Sequence, residues 1–207
     1  MVMSEKDQIV EQATKLFMRY GAKSVSMDDI AREMGMSKKT LYQHIDDKEE
    51  LVHLSVSSFL GVHLSSCEAC LNTNENPIKR MLNLSKTVAL TINDINPSLL
   101  YDLQKYYIKS WKLFADFRHD VIFSQIRANL IEGKKDGWYR QDLNEEIVSH
   151  FYIGLLDIVS NSDLFPGSVY RFRDLVQQVM AYHLNGVISL KGKNYLLEHN
   201  EFNSLEK

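Results

Sequence analysis

Ala31, Gly35 and Leu41 stand in an A-x3-G-x5-L array within the stretch SMDDIAREMGMSKKTLYQHIDDK, residues 26–48, and Lys38, Lys39 and Lys48 cluster around the segment after the glycine. A small residue lets a second helix cross closely over the first, a glycine can take the positive φ of a tight turn, and a leucine faces back into a shared core. The exposed side of the second helix is then free to enter a groove of a duplex. Two other constellations invite chemistry. On a continuous helix His63, Cys67 and Cys70 fall at i, i+4 and i+7, which would supply three soft metal ligands or a redox pair. A zinc site normally takes a fourth ligand, and the same stripe carries Val56, Phe59 and Leu60, so buried core is the simpler expectation and no metal is assigned. The carboxylate pairs Asp46-Asp47 and Glu49-Glu50 sit at a helix start, where capping explains them.

Catalysis finds little support. The seven histidines have no evident nucleophile partner, and the chain has no glycine-rich phosphate loop, no H-E-x-x-H and no G-x-S-x-G. The chain is therefore expected not to be an enzyme and to need no cofactor.

These residues require short helices to hold them. A first helix is expected from about Glu5 to Tyr20, with Ile9, Ala13, Leu16, Phe17 and Tyr20 on one face and Gly21 ending it. Ser26 reads as the N-cap of the next helix, with Asp29 as its capping-box partner and Val25 stapled to Ile30. Ser37 caps a third helix from Lys38 to about Ile45, and Asp47 with Glu50 opens a long fourth, about 48–70. Beyond a polar break at residues 72–77, helices are expected near 78–93, 98–107, 109–136, 144–161 and 168–190. The last two are apolar over more than one stripe and must be covered on both sides. A second subunit would do that, with Phe151, Leu155, Val176, Val179, Met180 and His183 as its contacts.

With 207 residues, 44% of them apolar and only three prolines, the composition fits an ordered, almost wholly helical protein. No apolar run approaches the roughly 20 residues that span a bilayer, and the amino terminus lacks a secretory pattern, so a cytoplasmic protein that does not engage membranes is expected. Net charge is −3, and acids outnumber lysines and arginines within the first fifty residues. A basic domain is thus not what points to DNA; the position of the lysines is.

The order LFMRYG, then SMDDIAREMGMSKKTLYQHIDDKEEL, with its caps, turn glycine, T-L-Y-x-H and D-K-E-E-L, resembles the amino-terminal module of TetR-type transcriptional regulators over roughly Asp7 to Leu54. The resemblance implies an all-α homodimer. A three-helix DNA-binding domain, residues 1–50 with the helix-turn-helix at about 26–45, would be joined by the long helix to an effector-binding and dimerisation domain, 51–207. Paired recognition helices would enter successive major grooves of a roughly palindromic operator. By position, Ser37, Lys38, Lys39, Thr40 and Gln43 would face base edges or nearby phosphates, while Ser26, Tyr42, His44 and Lys48 would bind backbone. Ala31, Gly35, Leu41 and Ile45 would form the motif's core. Glutamine pairs with adenine and lysine with guanine, each good pairing contributing about 1 to 3 kcal/mol of discrimination. Two departures stand out: Ile45 replaces a frequent aromatic residue, and Gln43 a second tyrosine or asparagine.

Family analogy also implies a repressor released by a small apolar or amphipathic effector, in a pocket to which Tyr107, Trp111, Phe114, Phe123, Phe151 and Tyr152 are candidates. The alternatives are a DNA-bound scaffold that recruits a protein without any ligand, and a metal- or thiol-sensing regulator acting through Cys67 and Cys70.

Overall fold

The computed structural model describes residues 3–71, 73–92, 95–96, 98–161 and 163–199. Their helices are α1 (Glu5–Tyr20), α2 (Met27–Glu33), α3 (Lys38–Leu41), α4 (Lys48–Leu71), α5 (Pro77–Ile92), α6 (Ser98–Tyr106), α7 (Ile108–Phe117), a π turn (Arg118–Ile122), α8 (Phe123–Lys135), α9 (Glu145–Val159), α10 (Phe172–Val187) and α11 (Leu190–Glu198). The one β feature among the described residues is an isolated antiparallel bridge, Tyr139 to Ile188.

Packing divides the chain into two compact units: Met1–Leu64 with Asp94–Phe117, and Ser65–Asn93 with Arg118–Lys207. The expected division at residue 50 follows the motif, whereas the core of the first unit draws on residues far beyond it. Ile9, Ala13 and Phe17 of α1, Ile30 of α2, Leu41, Ile45 and Leu51 are all buried there with Leu99 and Leu103 of α6. Each fully buried aliphatic side chain of this kind contributes roughly 1.5 to 3 kcal/mol relative to exposure. In the second unit α10 packs on α5 and α9, and α8 on α5 and α9. Ile78, Met81, Leu82, Ile126, Leu130, Ile153, Met180 and Leu184 are buried at those crossings.

α4 differs from expectation. By length and composition it is long and apolar enough to cross a membrane. Serines and histidines break its apolar run without adding charge, so a search for an uninterrupted run overlooks it. Within the first unit its Leu51, Val52, Val56 and Leu60 are core residues.

Two expected single helices are also divided. The 109–136 segment contains the π turn, whose extra residue per turn accompanies a buried Arg118: its guanidinium lies 2.9 Å from Asp157 and donates to Ser160 Oγ at 2.7 Å. The 168–190 segment starts only at Phe172 and stops at Ile188, whose backbone is extended. There the Arg140 N–H donates to the Val187 carbonyl and the Ser189 N–H to the Trp138 carbonyl. Ser189 then caps α11, a helix beyond the last one expected. Tyr139 is driven into the core beside Gly133, where a Cβ would overlap its ring, and donates from its hydroxyl to Asn129 at 2.7 Å.

A helix-turn-helix surface for DNA

Local chemistry builds the motif as its sequence suggests. Ser26 Oγ accepts the Asp29 N–H at 3.1 Å while the Asp29 carboxylate accepts the Ser26 N–H at 2.9 Å, a complete capping box. These hydrogen bonds hold the Asp29 carboxyl below its ordinary range. Gly35 has φ +64° with open space where a Cβ would lie, so conformation alone demands glycine. Ser37 Oγ accepts the Thr40 N–H at 3.0 Å and opens α3. Regular α-helix lasts only to Leu41; the chain continues to Ile45 with the Gln43 N–H on the Thr40 carbonyl and the His44 N–H on that of Leu41. These tighter three-residue bonds carry the chain on past the α turn while keeping its turn direction. Glu50 closes the next helix start, donating its N–H to Asp47 and accepting that of Asp46 at 2.6 Å.

Ala31, Leu41 and Ile45 are buried, as a motif core requires. On the outer side Lys39, Tyr42 and Gln43 are exposed and Thr40 is half-buried. Residues 39, 42 and 43 are spaced to share one helical face. Other candidates are engaged within the chain. Lys38 Nζ lies 2.9 Å from Asp28, whose carboxylate raises the lysine's pKa. Ser26 Oγ donates to Asp29 at 2.6 Å, and His44 Nε2 is 3.4 Å from Glu5. Lys48 is half-buried, donates to the Lys23 carbonyl at 3.2 Å and sits 6.0 Å from the Tyr107 ring; burial lowers its pKa. Each must exchange its internal partner to reach a phosphate.

The remaining candidates separate. Tyr107, Trp111 and Phe114 are partly buried against the core of the first unit. In the second unit Phe123 tilts onto His150 with centroids 4.6 Å apart, Tyr152 is buried edge-on to His183 at 4.9 Å, and Phe151 is 66% exposed. Three of the six thus belong to the first unit and three to the second. A cavity of 330 Å³ lies instead among Glu68, Leu71, Arg80, Gln125, Ala128, Asn129 and Glu132. Arg80 is ion-paired with Glu132 and donates to the Leu71 carbonyl at 3.2 Å, and Asn129 donates to that of Pro77 at 3.1 Å. Aromatic content, the sequence signal for a pocket, does not mark a wall built on an ion pair.

Val176, Val179, Met180 and His183, expected at a subunit contact, are buried within the protomer, while Leu155 is half-buried. Both faces of α10 looked equally apolar, and packing on α5 and α9 claims this one. Cys67 is buried and its thiol is pushed up to about 11, chiefly by desolvation, while Cys70 Sγ lies 3.1 Å from Thr87 Oγ1. A thiol so raised is a poor thiolate source, contrary to what a thiol sensor needs.

A capped, glycine-turned helix pair with an exposed basic and amide face is a helix-turn-helix DNA-binding module. Residues 9–54 match the family model for bacterial regulatory proteins of the tetR family. The repressor KstR2 of Mycolicibacterium smegmatis is 24% identical over 201 residues, covering 93% of this chain and 95% of KstR2. The HTH-type regulator YvaF of Bacillus subtilis is 24% identical over 166 residues, 79% of this chain and 86% of YvaF. The fold resembles the crystal structure of a transcriptional regulator from Saccharomonospora viridis in complex with choline, with a TM-score of 0.72 and 20% identity over 89% of this chain and 97% of that one. Over residues 9–54 the chain thus carries the DNA-binding module of TetR-type transcriptional regulators, and its relatives are named as transcriptional regulators.

Proposed function

We propose that the protein is a cytoplasmic, homodimeric repressor that holds a roughly palindromic operator through paired copies of residues 26–45 and lets go when a small effector enters the second unit. The observation that carries the reading is the exposed face of Lys39, Tyr42 and Gln43 on a motif whose caps and core are complete. The relatives named as repressors support repression over activation. For the subunit contact the proposal moves to the outward stripe of α9. Ile147, Phe151 and Ile158 are exposed there at helical spacing, with Tyr182 exposed on α10. An apolar stripe of this kind suits a two-fold contact between identical surfaces.

The effector is proposed to be amphipathic, because the cavity that would take it carries the Arg80–Glu132 pair beside Leu71 and Ala128. Binding would bias α4, the helix common to both units, and so the separation of the two recognition segments. Linkage requires operator to weaken effector by the same factor, with couplings of about 1 to 3 kcal/mol typical. The test is a thermal-shift screen of amphipathic compounds followed by titration of each hit into free and operator-bound dimer. A hit with lower affinity for the bound dimer supports the mechanism; equal affinity refutes it.

A further inference from the structure

We propose that the DNA-gripping surface of the first unit extends onto α6, where Lys23 and Lys105, held by the hydroxyls of Tyr106 and Tyr101, take phosphates of the duplex flanking the half-site. The inference rests on the DNA-binding reading and adds, beside Lys23, the residues Tyr101, Lys105 and Tyr106, which lie outside the matched family segment. Ser98, Asp102 and Tyr106 recur every four residues on α6 and face the turn after α1. The Lys23 N–H donates to Asp102 at 2.8 Å, and a Cβ on Gly21 would meet Ser98 Oγ at 2.6 Å. So seated, α6 brings two tyrosines to two lysines. Lys23 Nζ donates to Tyr106 OH at 2.8 Å and lies 4.2 Å from that ring's centre; Lys105 Nζ donates to Tyr101 OH at 2.7 Å and lies 5.6 Å from the Tyr106 ring.

The partners of these cations set them apart. Elsewhere in the unit Lys6, Lys15, Arg32, Lys38 and Lys109 are matched to carboxylates. Lys23 and Lys105 meet neutral hydroxyls, and the nearby carboxylate of Asp102 is buried and occupied by the main chain. The surface therefore presents two cations and two hydroxyls, all of which are phosphate-contacting groups. Lys23 pulls the Tyr106 hydroxyl below its ordinary pKa, a sign of how strongly the cation polarises it. The patch adjoins the edge expected to track DNA backbone: Lys23 precedes the Ser26 cap by three residues, and Lys48 donates to its carbonyl. Positive charge placed there offsets the acidic balance of the amino-terminal fifty residues, which by itself disfavours a polyanion.

The test uses the full-length protein and a duplex selected by it from a random-sequence library, prepared flush with the two half-sites and extended by arbitrary sequence on both sides. Affinity is measured over a salt series for wild type, K23Q/K105Q and Y101F/Y106F, with K39A as the control for base-facing contact. The double lysine variant is expected to bind the extended duplex about tenfold or more weakly, with a salt slope shallower by about 0.9 for each phosphate lost, and to match wild type on the flush duplex. The double phenylalanine variant should fall between. Unchanged affinity and slope for K23Q/K105Q while K39A is impaired would overturn the inference and leave the DNA-binding reading standing; so would equal losses on both duplexes. Absence of wild-type binding to any duplex would remove both.

Discussion

At the residue scale, two glycines and one histidine make the sharpest claims. Gly35 needs its left-handed backbone but has open space around it, whereas Gly21, at φ +83°, also has Ser98 and Asp102 pressed against the position of a Cβ. Gly35→Ala should thus cost only the conformational strain of about 1 to 2 kcal/mol. Gly21→Ala should cost more and weaken the seat of α6, a difference readable in urea midpoints. His183 is buried against Tyr152, and desolvation depresses its pKa to about 4. Its charged form is disfavoured when folded, so the unfolded chain binds the proton more tightly. Stability is therefore full above the unfolded value of about 6.5 and lost as pH falls toward 4, by on the order of 3 kcal/mol. Denaturant unfolding at pH 7.5 and 5.0 checks this; His183→Gln should flatten the difference, and a wild-type protein equally stable at both values would contradict it.

Elements turn such residues into surfaces. The recognition segment is a single α turn lengthened by tighter bonds, and its exposed side chains are few. Gln43→Ala is expected to relax discrimination at one base position by about 1 to 3 kcal/mol, while Lys39→Ala weakens binding in a salt-dependent way. A competition assay with operators changed one base pair at a time separates these outcomes. Ser26→Ala removes an N-cap and should lower stability by about 1 kcal/mol, apart from any phosphate contact it makes. α1, α2 and the starts of α3 and α4 were legible in advance because caps, a turn glycine and a 3.6-residue period all coincide there. α3's early end, the π turn at Arg118 and the break before α11 were not. The last two accompany partners distant in sequence, Asp157 for Arg118 and Trp138 for Ser189.

For the whole molecule, the question is which apolar face meets a second copy. Phe151→Asp is expected to yield well-folded monomers that bind operator poorly, whereas Val176→Asp should unfold the second unit instead of freeing the protomers. Sedimentation combined with circular dichroism distinguishes the two, and a Phe151→Asp protein of unchanged dimer mass would reject the α9 stripe. The candidate site was legible in part for the same reason. The family resemblance placed Lys39, Tyr42 and Gln43 toward DNA, but nothing local forecast that Asp28 would engage Lys38 or that α6 would dock beside Lys23.

What the amino-acid order determined unaided was the class of protein and the core of its DNA-reading motif, because capping, turn formation and amphipathic period act over a few residues and leave their marks in sequence. Tertiary structure decided which of two apolar helix faces is interior, which lysines keep an exposed charge, and where a cavity opens. Those outcomes depend on contacts between segments as far apart as Lys23 and Asp102, where burial and charge pairing are set by neighbours that the local sequence does not name.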